Sequence, residues 1–188
     1  MRLGIMGGTF DPIHVGHLIA ASEVHSALSL DQVLFMPAGD PWQKSGRVVS
    51  SAAHRFAMVQ RAVAADDRFE ASDLEILRNG PTYAIDTVCQ LRAQQPDAEL
   101  FWIVGTDALA GIPTWRDWQE FVSLVTLVSV NRESVADVTV PFTHTFVQMP
   151  LVRISASDIR RRFQQGIEAR YLVPDSVRAY VEDEGLYQ

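Results

Sequence analysis

A single cysteine, Cys89, stands among 188 residues, so no disulfide can close within the chain and no cysteine-based zinc cluster can be built. That usage suits a reducing cytoplasm. The surrounding AIDTVCQLRA reads as a helix, which predicts a packed thiol rather than a nucleophile. Basic residues are also scarce: 16 Lys and Arg face 23 Asp and Glu, a net charge of −7. Nucleic acid and anionic membranes bind through a basic face that releases counterions, so the composition argues against both as partners. Any anionic ligand must meet a local positive pocket. Long apolar runs are missing too. The N-terminal MRLGIM is cut by Gly7 and Gly8, too early for a signal peptide, and no window reaches the ~20 apolar residues of a membrane span. No internal repeat is visible. The expectation is a cytoplasmic protein with a single domain over 1–188, in which 151–188 form a helical C-terminal subregion. A homo-oligomer stays open.

What is present is alternation. RLGIM is short, apolar and bounded by glycine, which predicts a buried strand. HVGHLIAASEVHSAL then carries Leu18, Ala21, Val24 and Leu28 at helical spacing. QVLFMPAG reads as a second strand, stopped by Pro37 and Gly39. SSAAHRFAMVQRAVAAD opens on capping serines and continues as a helix through Phe56, Val59 and Val63. RFEASDLEI, ELFWIVG, VTLVSVNR and HTFVQMP read as further strands, TYAIDTVCQLRAQQP and TWRDWQEFVSL as further helices. Past Pro150 two helices, SASDIRRRFQQG and PDSVRAYVEDEG, follow with no strand between them. The pattern predicts an α/β fold: a doubly wound, mostly parallel, Rossmann-like sheet with a small helical C-terminal cap. Ligands of such sheets bind at the carboxyl ends of strands, near the switch in strand order.

GGTFDPIHVGH, residues 7–17, falls at that place. Gly7 and Gly8 predict a tight turn with amides open to a phosphate. The helix behind it offers N–H groups and a positive dipole end. Pro12 belongs before or at the start of that helix. His14 and His17, three apart on one helical face, can both point at the same bound group. A metal site is the first rival. Zinc catalysis wants a third protein ligand, and His25 lies roughly 16 Å further along the helix. A dinucleotide loop is the second, but GIMGGTF does not fit Gly-x-Gly-x-x-Gly. A glycine turn beside two surface histidines is the third.

Further along, Lys44 sits among turn formers, where a solvated loop lysine is the alternative to a phosphate contact. Thr82 stands at a helix start, where a cap is the plainer role. Gly105 and Asp107 follow the strand FWIV, at its carboxyl end. Of Trp115 and Trp118, one can face the core while the other stacks a flat ring. Ser155 reads as an N-cap, with Ser157, Arg160 and Arg161 in the first turns. Cations there oppose the helix dipole, so they answer either to a bound anion or to solvent.

GGTFDPIHVGH resembles the signature of the nucleotidyltransferases that carry an His-x-Gly-His motif, and its Gly-Gly-Thr/Ser-Phe-Asp-Pro form is highly specific. With GPTYAIDT, FWIVGTD, TWRDW, ISASDIR and YLVPDSVRAYVEDEGLY in this order, the chain is similar nearly end to end to the nicotinate-nucleotide adenylyltransferases of bacterial NAD biosynthesis. The resemblance implies an ATP site at Gly7, Gly8, Thr9, Phe10, His14, His17, Gly105, Asp107, Ser157 and Arg160, with both histidines catalytic. It implies a nicotinate mononucleotide site at Lys44, Thr82, Tyr83 and Trp115, with Trp115 stacked on the pyridine. Mg2+ would accompany ATP as substrate, with no protein metal site. Gln43 stands where the family often has histidine, and TYA replaces TYT. The attacking phosphate is already an anion, so positioning and charge stabilisation suffice without a protein nucleophile. Two other readings compete. One is a pantetheine-phosphate adenylyltransferase-like or cytidylyltransferase-like enzyme, though such relatives tend to lack GTD…TWRDW. The other is a non-catalytic nucleotide-binding module.

Overall fold

Side chains alternate along the strands so that each face of the sheet carries its own apolar layer. The computed structural model describes residues 1–40, 49–78, 80–131 and 139–188. These form strands β1 Arg2–Gly8, β2 Gln32–Pro37, β3 Phe69–Ala71, β4 Glu99–Gly105, β5 Thr126–Val130 and β6 Thr145–Val147. The helices are α1 Val15–Leu28, α2 Ala52–Val63, α3 Ala84–Gln94, α4 Thr106–Leu109, α5 Trp118–Leu124, α6 Ala156–Gln164 and α7 Asp175–Asp183. All five strand pairings are parallel, in the order β3-β2-β1-β4-β5-β6. This is the doubly wound arrangement expected, and the chain reverses its direction of strand addition between β1 and β4.

Phe35, Phe101, Ile103 and Val128 face a core shared with Ala21 and Val24 of α1, Met58 and Val59 of α2, Ile159 of α6 and Val177 and Val181 of α7. Leu34, Met36, Leu100, Trp102 and Leu127 face the opposite core, with Ile85, Val88 and Leu91 of α3 and Phe121 of α5. Parallel strands covered on both faces account for the near-continuous apolar runs in the sequence. The two C-terminal helices thus complete the first layer.

Several elements are shorter than the sequence patterns predict. RFEASDLEI pairs only over Phe69–Ala71, because from Asp73 the backbone turns back on itself, with Ile76 and Leu77 both donating to the Asp73 carbonyl. HTFVQMP pairs only over Thr145–Val147, because the Met149 N–H leaves the sheet for the buried Asn131 side chain at 2.9 Å. TWRDWQEFVSL does not begin its helix until Trp118: Ile112–Thr114 form a 3-10 turn containing Pro113, and Asp117 sits in left-handed backbone at φ 49°. On α2 the buried face is Arg55, Met58, Val59 and Val63, with Phe56 half-buried beside it. Cys89 is exposed, not packed, because the buried face of α3 runs through Ile85, Val88 and Leu91.

Candidate functional site

The reversal between β1 and β4 opens a cavity of about 520 Å³ at the carboxyl end of the sheet. Gly7, Gly8, Thr9, Phe10, His14, His17, Thr82, Tyr83, Gly105, Asp107, Trp115, Ser157 and Arg160 all line it. The remaining candidate, Lys44, lies outside the described residues. One wall comes from the layer of α1 and α6, the other from the layer of α3 and the 3-10 turn.

The phosphate-loop stretch folds differently from what its sequence predicts. Gly7 and Gly8 complete β1 and do not turn; a Cβ on them would lie 3.2 Å from the rings of Trp102 and Phe10 respectively. The turn is made by Phe10, at φ 50°, whose buried ring packs edge-on to His17 at 5.1 Å. His14 is not on the helix but caps it, in extended backbone (φ −144°, ψ 168°). That geometry nevertheless stacks the two imidazoles, with centroids 3.7 Å apart and planes 22° from parallel. The His14 N–H donates to His17 Nδ1 at 3.2 Å, so a neutral His17 ring carries its proton on Nε2 as a donor. Two first-turn amides are already engaged: Val15 N–H donates to the Leu172 carbonyl and His17 N–H to the His14 carbonyl. The start of α1 therefore offers a ligand fewer N–H groups than its sequence suggests.

The start of α6 adds positive charge to the same wall. Ser155 caps it by accepting from the Asp158 N–H at 3.1 Å, as its sequence predicts, and Ser155, Ala156 and Ser157 all border the cavity. Arg160 donates to the Asp11 carbonyl and, at 3.0 Å, to Ser157 Oγ, which carries a cation from α6 back to the loop after β1. Arg161 has a different fate. It is two-thirds exposed and pairs with Asp158, as does Arg162. Asp158 thus pairs with the two cations of α6 that do not border the cavity, and Arg162 first, with Arg161, holds its carboxyl below the usual range against the loss of solvation.

On the opposite wall Thr82 does not cap α3; Tyr83 holds that position. Thr82 Oγ1 instead accepts from the Asp40 N–H at 3.3 Å, joining the end of β2 to the start of α3. Arg116 lies 4.9 Å above the Tyr83 ring. Trp115 borders the cavity while packing on Phe121 at 5.5 Å, and Trp118 packs on Phe142 at 6.0 Å. Two imidazoles and Arg160 on one wall face aromatic rings and Arg116 on the other. Such a cavity suits a polyphosphate at one side and a flat ring at the other.

Residues 5–162 match the cytidylyltransferase-like family. A protein of Nocardioides sp. named "Probable nicotinate-nucleotide adenylyltransferase" is 53% identical over 97% of this chain and 92% of its own length. A Streptomyces coelicolor protein of the same name is 47% identical over 97% of this chain and 99% of its own. The chain belongs to the nicotinate-nucleotide adenylyltransferase family. Its fold is also that of the Plasmodium falciparum nicotinic acid mononucleotide adenylyltransferase solved in complex with NaAD, at a TM-score of 0.83 and 16% identity over 99% of this chain and 97% of that one.

Three polar residues of this family member receive no role from the motifs, although Tyr187 closes the stretch YLVPDSVRAYVEDEGLY. Tyr187, near the C-terminus, donates its hydroxyl to Asp11 Oδ1 at 2.7 Å; burial first, and then the Asp11 carboxylate, raise the phenol well above its ordinary range. Arg55 is buried under the phosphate loop, and loss of solvation lowers its pKa while Asp11 opposes the shift. Glu75 borders the cavity and accepts from the Thr87 hydroxyl at 2.7 Å, and Thr87 Oγ1 in turn accepts from Arg78 at 3.1 Å. Their signals were a lone arginine on an apolar helix face, a terminal tyrosine and an acid in a predicted strand, none of which names a partner.

Glu75 makes stability depend on pH. Burial pushes its carboxyl up to about 7, against the Thr87 hydrogen bond and the Arg78 charge. The folded pKa lies above the unfolded one, so the native state holds an extra proton between pH ~4.3 and ~7. The contribution is complete below that window and is lost as pH rises through it. Glu75→Gln removes the slope: between pH 5 and 8 its urea-unfolding free energy gains on the original chain by on the order of 2 kcal/mol. Parallel pH profiles for the two chains would contradict this assignment.

Proposed function

We propose that this chain joins ATP and nicotinate mononucleotide to give nicotinate adenine dinucleotide and pyrophosphate, in NAD biosynthesis. The observation that carries the reading is one cavity at the strand switch, lined by a stacked imidazole pair and Arg160 on one side and Trp115 on the other. An oxygen of the mononucleotide phosphate attacks the α-phosphorus in line. The bond from that phosphorus to the β-phosphate oxygen breaks, and pyrophosphate leaves with the electron pair. The attacker is already ionised, so no base has to act.

In this reading Gly7, Gly8, Thr9 and Phe10 form the floor beneath ATP. His14 and His17 steady charge around the α-phosphate and the departing pyrophosphate. Ser157 and Arg160 hold the triphosphate, and Gly105 and Asp107 meet the nucleotide. Thr82, Tyr83 and Trp115, with Lys44, take the mononucleotide. Mg2+ enters as part of the ATP substrate; among the described residues no group of three or more His, Cys, Asp or Glu is placed to hold a metal. Among those residues, too, no helix is long and apolar enough to cross a membrane. We read the chain as one cytoplasmic domain over 1–188, with 151–188 as its helical cap, acting on small molecules and not on nucleic acid. A homo-oligomer is compatible with this reading.

Pyrophosphate release measured with a panel of acceptors decides the substrate. Turnover is expected with nicotinate mononucleotide and ATP; turnover with phosphopantetheine or an alcohol phosphate alone would refute the assignment. Trp115→Ala is expected to raise KM for the pyridine acceptor roughly 10-fold, from a stacking contact near 1–1.5 kcal/mol. An unchanged KM would remove Trp115 from the site.

A further inference from the structure

Arg55 is 1% exposed, and its guanidinium ties together three separate stretches of backbone. Nε donates to the Ser50 carbonyl at 3.0 Å, Nη1 to Thr9 at 3.0 Å and Nη2 to Gly39 at 3.1 Å. Thr9 belongs to the phosphate loop after β1; Gly39 follows β2, and Ser50 precedes α2. The path continues past Gly39 to the start of α3. The Asp40 N–H donates to Thr82 Oγ1 at 3.3 Å, and the Asp40 carbonyl accepts from the Thr82 N–H at 3.5 Å. Gly39 is pressed so closely on the Glu75 carbonyl that a Cβ there would lie 2.3 Å from it. Thr9 and Thr82 both border the cavity, so one guanidinium connects its ATP loop to its acceptor wall.

A buried cation is a poor choice for mere filling, since an apolar residue of similar volume avoids the loss of solvation. What the guanidinium adds is a rigid planar fork that sets the spacing of several carbonyls at once. We propose that Arg55 is a positioning residue that couples the two subsites, so that filling one tightens the other. The coupling rests on the reaction assigned above and concerns its two ligands.

The test is calorimetric binding of nicotinate mononucleotide with and without saturating α,β-methylene ATP, whose carbon bridge blocks the transfer. In the unmutated protein the analogue tightens mononucleotide binding about five-fold or more, with the same factor in the reverse titration, as linkage requires. Arg55→Lys keeps the charge, but one ammonium cannot span three carbonyls. The factor then falls below about two-fold. A stability loss alone cannot mimic this fall: the first ligand draws the unfolded fraction back to the folded state, which raises the apparent factor. Thr82→Val, which removes one of the two hydrogen bonds at the far end of the same path, also lowers the factor and carries the test if the lysine variant does not fold. Retention of the full factor in a folded variant overturns the proposal, as does an absence of coupling in the unmutated protein when both ligands bind. If either ligand fails to bind the unmutated protein, the assigned reaction falls, and the coupling with it.

Discussion

His17→Ala is expected to lower kcat for pyrophosphate release by about 10²–10³, the usual loss when one preorganised charge-stabilising group is removed. The ring borders the cavity, stacks on His14 at 3.7 Å and holds its Nδ1 against the His14 N–H, which leaves the Nε2 proton as its donor. Its orientation is thus set before any ligand arrives, and a preorganised donor is worth most where charge develops late. The fold should survive, since His17 is only half-buried and its side chain borders the cavity. His17→Asn separates the two roles of the ring. Its side-chain oxygen can still accept from the His14 N–H, so the helix start is restored, yet turnover should stay low. Turnover at the original level in either variant would contradict the part given to the imidazole.

Arg160→Ala is expected to reduce kcat/KM for ATP about 10²-fold, a value typical of losing one charge-assisted contact in a preorganised site. Two effects add. The one cation of α6 that borders the cavity disappears from its wall, and the Asp11 carbonyl loses its donor across the loop after β1. Arg160→Lys should recover part of the binding through charge alone. It should not recover all of it, because one ammonium cannot serve both Ser157 Oγ and the Asp11 carbonyl in the fork geometry seen here. Steady-state kinetics with ATP varied at saturating acceptor reads the result. Equal loss in the KM for the acceptor and none for ATP would move Arg160 off the triphosphate.

Sequence periodicity and a handful of punctuating residues determined the alternation of strands and helices, the parallel sheet, the switch-point location of GGTFDPIHVGH and the cap at Ser155. Those features depend on neighbours a few residues apart, and such neighbours are readable in a linear chain. The tertiary structure decided everything that depends on distant partners. Tyr187 meets Asp11 across 176 positions and Arg160 reaches the same loop across 149, so no local pattern could announce either contact. Arg55 looked like one more polar residue on a helix until three carbonyls closed around it. Glu75 shows the same limit from the side of charge: its carboxyl is shifted because folding buries it, and burial belongs to the assembled molecule. Even the two glycines changed meaning, from a turn that admits a ligand to the end of a strand that makes room for Trp102 and Phe10. A chain states its local preferences residue by residue, whereas solvation, close packing and long-range hydrogen bonds exist only once the layers have met.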